Sequence, residues 1–103
     1  MLQEKKDFLT LSIVPGRLSI IETSWYLGFT EHDISVLISV GLLKPLGRPT
    51  QSGSKYFAIV ELQSLRNDAR WLAKASDAIV NHWKKKNAGR ESRERPLAMN
   101  GER

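Results

Sequence analysis

The groups in this 103-residue chain that could do covalent or metal chemistry are two histidines, scattered carboxylates and serines, with no cysteine at all. His32 and His82 stand fifty residues apart. There is no cysteine to join them, and the acids beside His32 (Glu31 and Asp33) lack the ligand spacing by which metal sites usually announce themselves. Gly53-Ser54 lies in a stretch without the spacing of a phosphate-binding loop. No Ser–His–Asp set can be nominated from residue order, and each serine has a plainer use as a cap or loop residue. The expectation is a protein that is not an enzyme and that carries neither metal nor cofactor.

The remaining chemistry is electrostatic. The net charge is +5, and it is unevenly placed. Residues 1–16 balance, residues 17–43 sum to −2, and residues 59–83 balance again. Residues 44–58 carry +3 from Lys44, Arg48 and Lys55 with no acid, and the stretch from Lys84 onward carries +4. Arg48, Thr50, Ser52 and Lys55 are donors of the kind that hold phosphate oxygens or line a minor groove. Arg17, just ahead of residue 18, could join them. Basic loops and tails also serve simply to keep a protein soluble, and charge alone does not decide between the two.

Those donors must be positioned by elements, and the stretch 18–43 supplies the clearest signals. Ser19-Ile20-Ile21-Glu22 has the form of a capping box, and Thr30-Glu31-His32-Asp33 repeats it with a shorter acid. Gly28 between them can take positive φ and end the first helix, and Gly41 can end the second. Two short helices joined by a glycine turn predict a helix-turn-helix. Next, 43–46 and 55–57 alternate loosely around the turn-rich segment 47–54, which predicts a hairpin, with Pro45 at an edge and Leu18 as an added third strand.

Residues 59–87 carry the longest helical pattern. Leu62, Leu65, Ala69, Leu72, Ser76, Ile79 and Trp83 step by three and four, and Asn87 is a fair stop. One rod is a possibility. Ser76 could instead cap a separate last helix, and the expected division is near Lys74-Ala75-Ser76. The mixed charge and few apolar residues of 88–103 predict a disordered basic tail.

Taken together, residues 17–65 resemble the winged helix-turn-helix of the MerR and excisionase families. Leu18-Ser19 opens the motif and Thr23-Ser24 fill its small position. Leu27-Gly28-Phe29 makes the turn, Gly41-Leu42-Leu43 leads into the wing at Lys44–Phe57, and Glu61-Leu62 with Leu65 starts the helix beyond. About half of the chain is covered. The resemblance implies a mainly α fold with a short β-hairpin wing and one or two C-terminal helices, over 17–87, after an N-terminal extension of residues 1–16. It also implies double-stranded DNA as partner, with Thr30, His32, Ser35 and Ser39 of the second helix along a groove and Arg17, Lys44, Arg48, Thr50, Ser52 and Lys55 on phosphates. MerR-like regulators dimerise through a long helix beyond the wing, which implies a homodimer through residues 59–87. The chain's small size favours an architectural or excisionase-like role over an effector-gated regulator.

One departure from the family pattern stands out: the second helix has no Lys or Arg, and bears Glu31 and Asp33. Trp25, Val36 and Val40 occupy positions that are usually polar. They suggest a patch covered by Phe8-Leu9-Thr10-Leu11-Ser12-Ile13, by the late helix, or by a second subunit. A protein-interaction module on the same scaffold is therefore the competing expectation. No apolar run approaches the roughly 18 residues of a membrane span, and the N-terminus lacks a signal-peptide cleavage site. A cytoplasmic protein, on the nucleoid if it binds DNA, is expected.

Overall fold

The computed structural model describes residues 2–94, and the side chains of residues 3–88. Its elements are α1 (Leu2–Leu9), β1 (Arg17–Ser19), α2 (Ile20–Leu27), α3 (Glu31–Ser39), β2 (Tyr56–Ala58), α4 (Ile59–Arg66) and α5 (Ala69–Glu94). The molecule is mainly helical, with one two-stranded antiparallel sheet among the described residues.

Helix α2 is the hub, touching α1, α3, α4 and both strands. It starts where the sequence says it should. The Ser19 hydroxyl accepts from the Glu22 N–H at 3.3 Å, and the Glu22 carboxylate accepts from the Ser19 N–H at 3.0 Å. These bonds satisfy two donors that a helix start otherwise leaves unpaired. Gly28 ends the helix with φ of 88°, a left-handed conformation that costs a residue with a Cβ about 1 kcal/mol or more. There the N–H groups of Gly28 and Phe29 both donate to Ser24 O at 2.9 Å. Thr30 then opens α3 with a second reciprocal pair, its hydroxyl accepting from Asp33 N–H at 3.1 Å.

Leu18, Leu27, Ile34, Leu37, Leu43, Phe57 and Leu62 form the centre of the core, joined by Trp71 and Ala75 of α5. Each large aliphatic side chain so buried contributes on the order of 1.5–3 kcal/mol. Thr23 and Ser24 are also buried, and their small side chains lie on the central helix where its neighbours pack. The Ser24 hydroxyl donates to Ile21 O at 2.6 Å.

Four expectations are refined or corrected. The N-terminal extension of residues 1–16 carries a helix, Leu2–Leu9, and its Phe8 packs on Trp25, one of the covers expected for that residue, with ring centroids 5.6 Å apart. Leu9, Leu11 and Ile13 stay exposed, so Phe8 alone of that apolar set is buried. The hairpin is replaced by a different pairing. Leu18 pairs directly with Phe57, and β1 is one of the two strands rather than an added third. Residues 43–46 form no strand and keep a single ladder-like bond, Leu46 N–H to Tyr56 O at 2.8 Å. Pro45, with no N–H to donate, sits in that non-strand segment.

The third correction concerns the end of the chain. The helical pattern divides at Asn67-Asp68, not near Ser76. Asp68 caps α5 by accepting from Trp71 N–H at 3.1 Å, whereas the Ser76 hydroxyl donates back to Leu72 O at 2.8 Å inside an unbroken helix. The helix also passes the expected stop at Asn87, and Gly89, to reach Glu94. The remainder of the expected tail, 95–103, lies outside the described residues. Fourth, Val36 is buried rather than outward-facing, while Val40 is exposed.

Candidate nucleic-acid interface

Helix α3 presents two parallel rows, because residues four apart stack on one helical face. Glu31, Ser35 and Ser39 make one row, and all three are exposed. His32, Val36 and Val40 make the next. That second row is turned towards α5: Val36 is buried, and the His32 ring lies 5.1 Å from Trp83 and 6.0 Å from His82. The open face of α3 therefore offers a carboxylate and two hydroxyls. One hydroxyl is partly spent, since Ser39 donates to Val36 O at 2.8 Å. Thr30 is exposed but serves as the cap of its own helix.

The cations fall in two groups, at the sheet and on the loop after α3. Arg17, at the start of β1, is exposed and holds its guanidinium 3.9 Å over the ring of Tyr56 on β2. Stacking of this kind fixes the planar group while leaving its N–H edge available to an anion. The loop 40–55 carries Lys44, Arg48, Thr50 and Ser52, all exposed. Gly47, with φ of 67°, makes the bend just before Arg48. At its tip, Gly53 N–H donates to Thr50 O at 3.0 Å, and a Cβ on Gly53 would come within 2.6 Å of the Thr50 hydroxyl. A side chain at this turn would thus have to displace the Thr50 hydroxyl, while the backbone around it leaves ordinary room.

Lys55 differs from the other cations. It is half-buried, and its Nζ donates to the carbonyls of Gln51 at 3.0 Å and Gly53 at 3.3 Å. Its ammonium closes the loop on itself. It also lines a cleft of about 270 Å³ with Ser19, Ile21, Ser54, Tyr56 and Glu31. An anion entering there meets a carboxylate on the facing wall.

The base of the loop is anchored from a distance. Trp71 Nε1–H donates to Leu42 O at 3.1 Å, and Leu42 and Leu43 N–H both donate to Leu37 O. Sequence reading did not find this tie, nor the His32–His82–Trp83 cluster. Their members are separated by 29 residues in the first case and by fifty in the second. Trp71 lies off the stripe of Leu62, Leu65, Ala69 and Leu72, yet it is the buried member of that turn.

Of the ten residues nominated, the structure gathers Arg17, Lys55 and the start of α3 around the sheet end, and puts Lys44, Arg48, Thr50 and Ser52 on the loop. It diverts Thr30 to capping, His32 to an aromatic cluster and Lys55 to loop closure. Among the described residues no group of three His, Cys, Asp or Glu could hold a metal ion, and no helix is long and apolar enough to cross a membrane. Comparison with protein-family models, with curated proteins and with solved structures finds no match to this chain.

Proposed function

We propose that this protein binds duplex DNA as a winged helix-turn-helix similar to those of the MerR and excisionase families, gripping phosphates with the loop and sheet cations and reading few bases. The observation that carries the reading is the paired-helix unit α2–Gly28–α3 set beside a loop with exposed Lys44 and Arg48 and no acid. A helix of this unit is of a size to enter a major groove, and the loop would follow the backbone next to it.

The face of α3 sets the character of the binding. Glu31 at the start of its exposed row repels phosphate, and Ser35 and Ser39 offer single hydroxyl contacts instead of a bidentate pair. Affinity then comes chiefly from Arg17, Lys44 and Arg48. One phosphate on each gives a slope of about −3 for the logarithm of the binding constant against that of salt. Fluorescence anisotropy on a labelled random duplex checks this. Failure to bind any duplex at micromolar protein in about 50 mM salt rejects the proposal.

A second reading rests on that same exposed row. A helix face carrying Glu31, Ser35 and Ser39 without a cation suits a protein-assembly module that has kept the scaffold without base reading. Replacing Lys44 and Arg48 by glutamate separates the two, since it abolishes DNA binding but leaves self-association, followed by light scattering, where it was. Self-association through α5 or around the exposed Val40 belongs to this second reading.

A further inference from the structure

The opposite sign of charge collects at another place, between α1 and α2. Glu4, Asp7, Phe8 and Leu11 recur at helical spacing along one side of α1 and the turn after it. They face Ile21, Glu22 and Trp25 of α2 across a groove of about 410 Å³. Its floor is apolar: Phe8 is buried against Trp25, and Leu11 is 47% exposed. Its rim is three carboxylates, on a chain whose overall charge is +5. Ile13, 84% exposed, extends the apolar surface past Leu11.

We infer that this groove docks a basic amphipathic helix from another protein, one that sets large aliphatic side chains between Phe8, Leu11 and Trp25 and places Lys or Arg against Glu4, Asp7 and Glu22. Two adjacent helices leave a furrow into which a third helix fits with side chains at i, i+3 or i+4 and i+7. Opposite charge around the furrow selects a basic helix over an acidic one and speeds its arrival. Nucleic acid is disfavoured there because the rim has its own sign. A second copy of this chain is a poorer occupant. Its best basic-apolar stretch is Val80 to Lys86 of α5, where Trp83, 38% exposed, already shares its ring with a tilted contact to His32 at 5.1 Å and with Lys86 at 5.3 Å.

The experiment uses the isotopically labelled full chain and a synthetic helical peptide with leucine at every third or fourth position and lysine elsewhere. Saturable amide shift changes are expected in residues 3–11 and 20–26, with little binding by a leucine–glutamate counterpart. Leu11→Glu, and separately Glu4→Lys with Asp7→Lys, each weaken the peptide by about tenfold or more. Should the α1 pair loosen that helix, seen as lost ellipticity, Leu11→Glu still reports on the groove because it lies beyond the end of α1. Absence of saturable shifts, shifts centred elsewhere, or equal binding of the acidic peptide overturns the inference. So does self-association of the chain that Leu11→Glu abolishes, since the occupant is then a second copy. Duplex-DNA binding is compared in Leu11→Glu alone, because Glu4→Lys with Asp7→Lys adds positive charge that itself attracts phosphate; peptide binding lost there with duplex binding kept makes the two proposals fail separately.

Discussion

Helix α3 and the loop 40–55 lie next to each other and divide the properties a nucleic-acid reader needs. The helix is capped at its start, buried through Ile34, Val36 and Leu37, and covered on one flank by α5. Its open row nevertheless bears Glu31, Ser35 and Ser39. The loop has the exposed cations, and it is held by a handful of bonds: Trp71 to Leu42, Leu46 to Tyr56, Gly53 to Thr50, and Lys55 to its own carbonyls. Order and positive charge have been put on different segments. Under the proposed function, a helix without cations would contribute shape, whereas the cationic loop would contribute attraction to the phosphate backbone with little sequence preference.

The most severe way to break the comparison is to remove the side chain that both segments share. Leu37 is fully buried, and its carbonyl accepts from the N–H groups of Leu42 and Leu43 in the loop. Leu37→Ala should cost about 2–5 kcal/mol by denaturant titration, loosening helix and loop together. A loss below about 1 kcal/mol would show that α3 is not packed as described.

Next in size is the charge on the loop. Lys44→Glu with Arg48→Glu should lower affinity for a random duplex by about a hundredfold in low salt, with the melting temperature unchanged. Ser35→Ala with Ser39→Ala should change it by less than about threefold on any sequence. If the serine pair instead costs tenfold on one selected sequence only, α3 reads bases and the division drawn above is wrong. Glu31→Gln sharpens the contrast from the other direction: removing the carboxylate should raise affinity by about twofold to fivefold, an effect that fades as salt rises.

The caps give the smallest changes. Ser19→Ala and Thr30→Ala should each cost about 1 kcal/mol in thermal or chemical unfolding. Lys55→Met should leave global stability within about 1 kcal/mol, yet speed amide exchange in residues 50–55. Equal exchange in the two proteins would mean that the Lys55 bonds do not close the loop.

How legible each feature was depended on the sequence distance over which it is decided. Ser19 with Glu22, Thr30 with Asp33 and the left-handed Gly28 are settled within four residues, and all three stand in the structure as the sequence implied. The sheet was misread because residues 43–46 and 55–57 alternate well enough to suggest partners. Phe57 finds Leu18 instead, where both side chains become fully buried. The division of the C-terminal helices was misplaced because the spacing of Leu62, Leu65, Ala69 and Leu72 runs past Asp68 without a break. Asp68 succeeds where Trp71 must turn in to reach Leu42 and Phe29. The apolar residues near the N-terminus suggested a cover for Trp25, but that Phe8 alone of them would be buried depended on how α1 lies on α2.

The candidate interface was legible in its charges and not in their employment. Lys44 and Arg48 are exposed on the loop, as their surroundings in the sequence suggested. That Lys55 bonds to Gln51 and Gly53, and that His32 stacks on Trp83, depends on where the loop folds and where α5 crosses α3.

The sequence by itself determined the two capped helices, the glycine turn between them and the acid-free cationic stretch, because hydrogen bonds between near neighbours and fixed formal charge need no distant partner. Tertiary structure decided which strands pair, which row of α3 meets α5, and which cations stay free. Those outcomes follow from burying apolar surface among segments many residues apart, and no local preference of the chain encodes that competition.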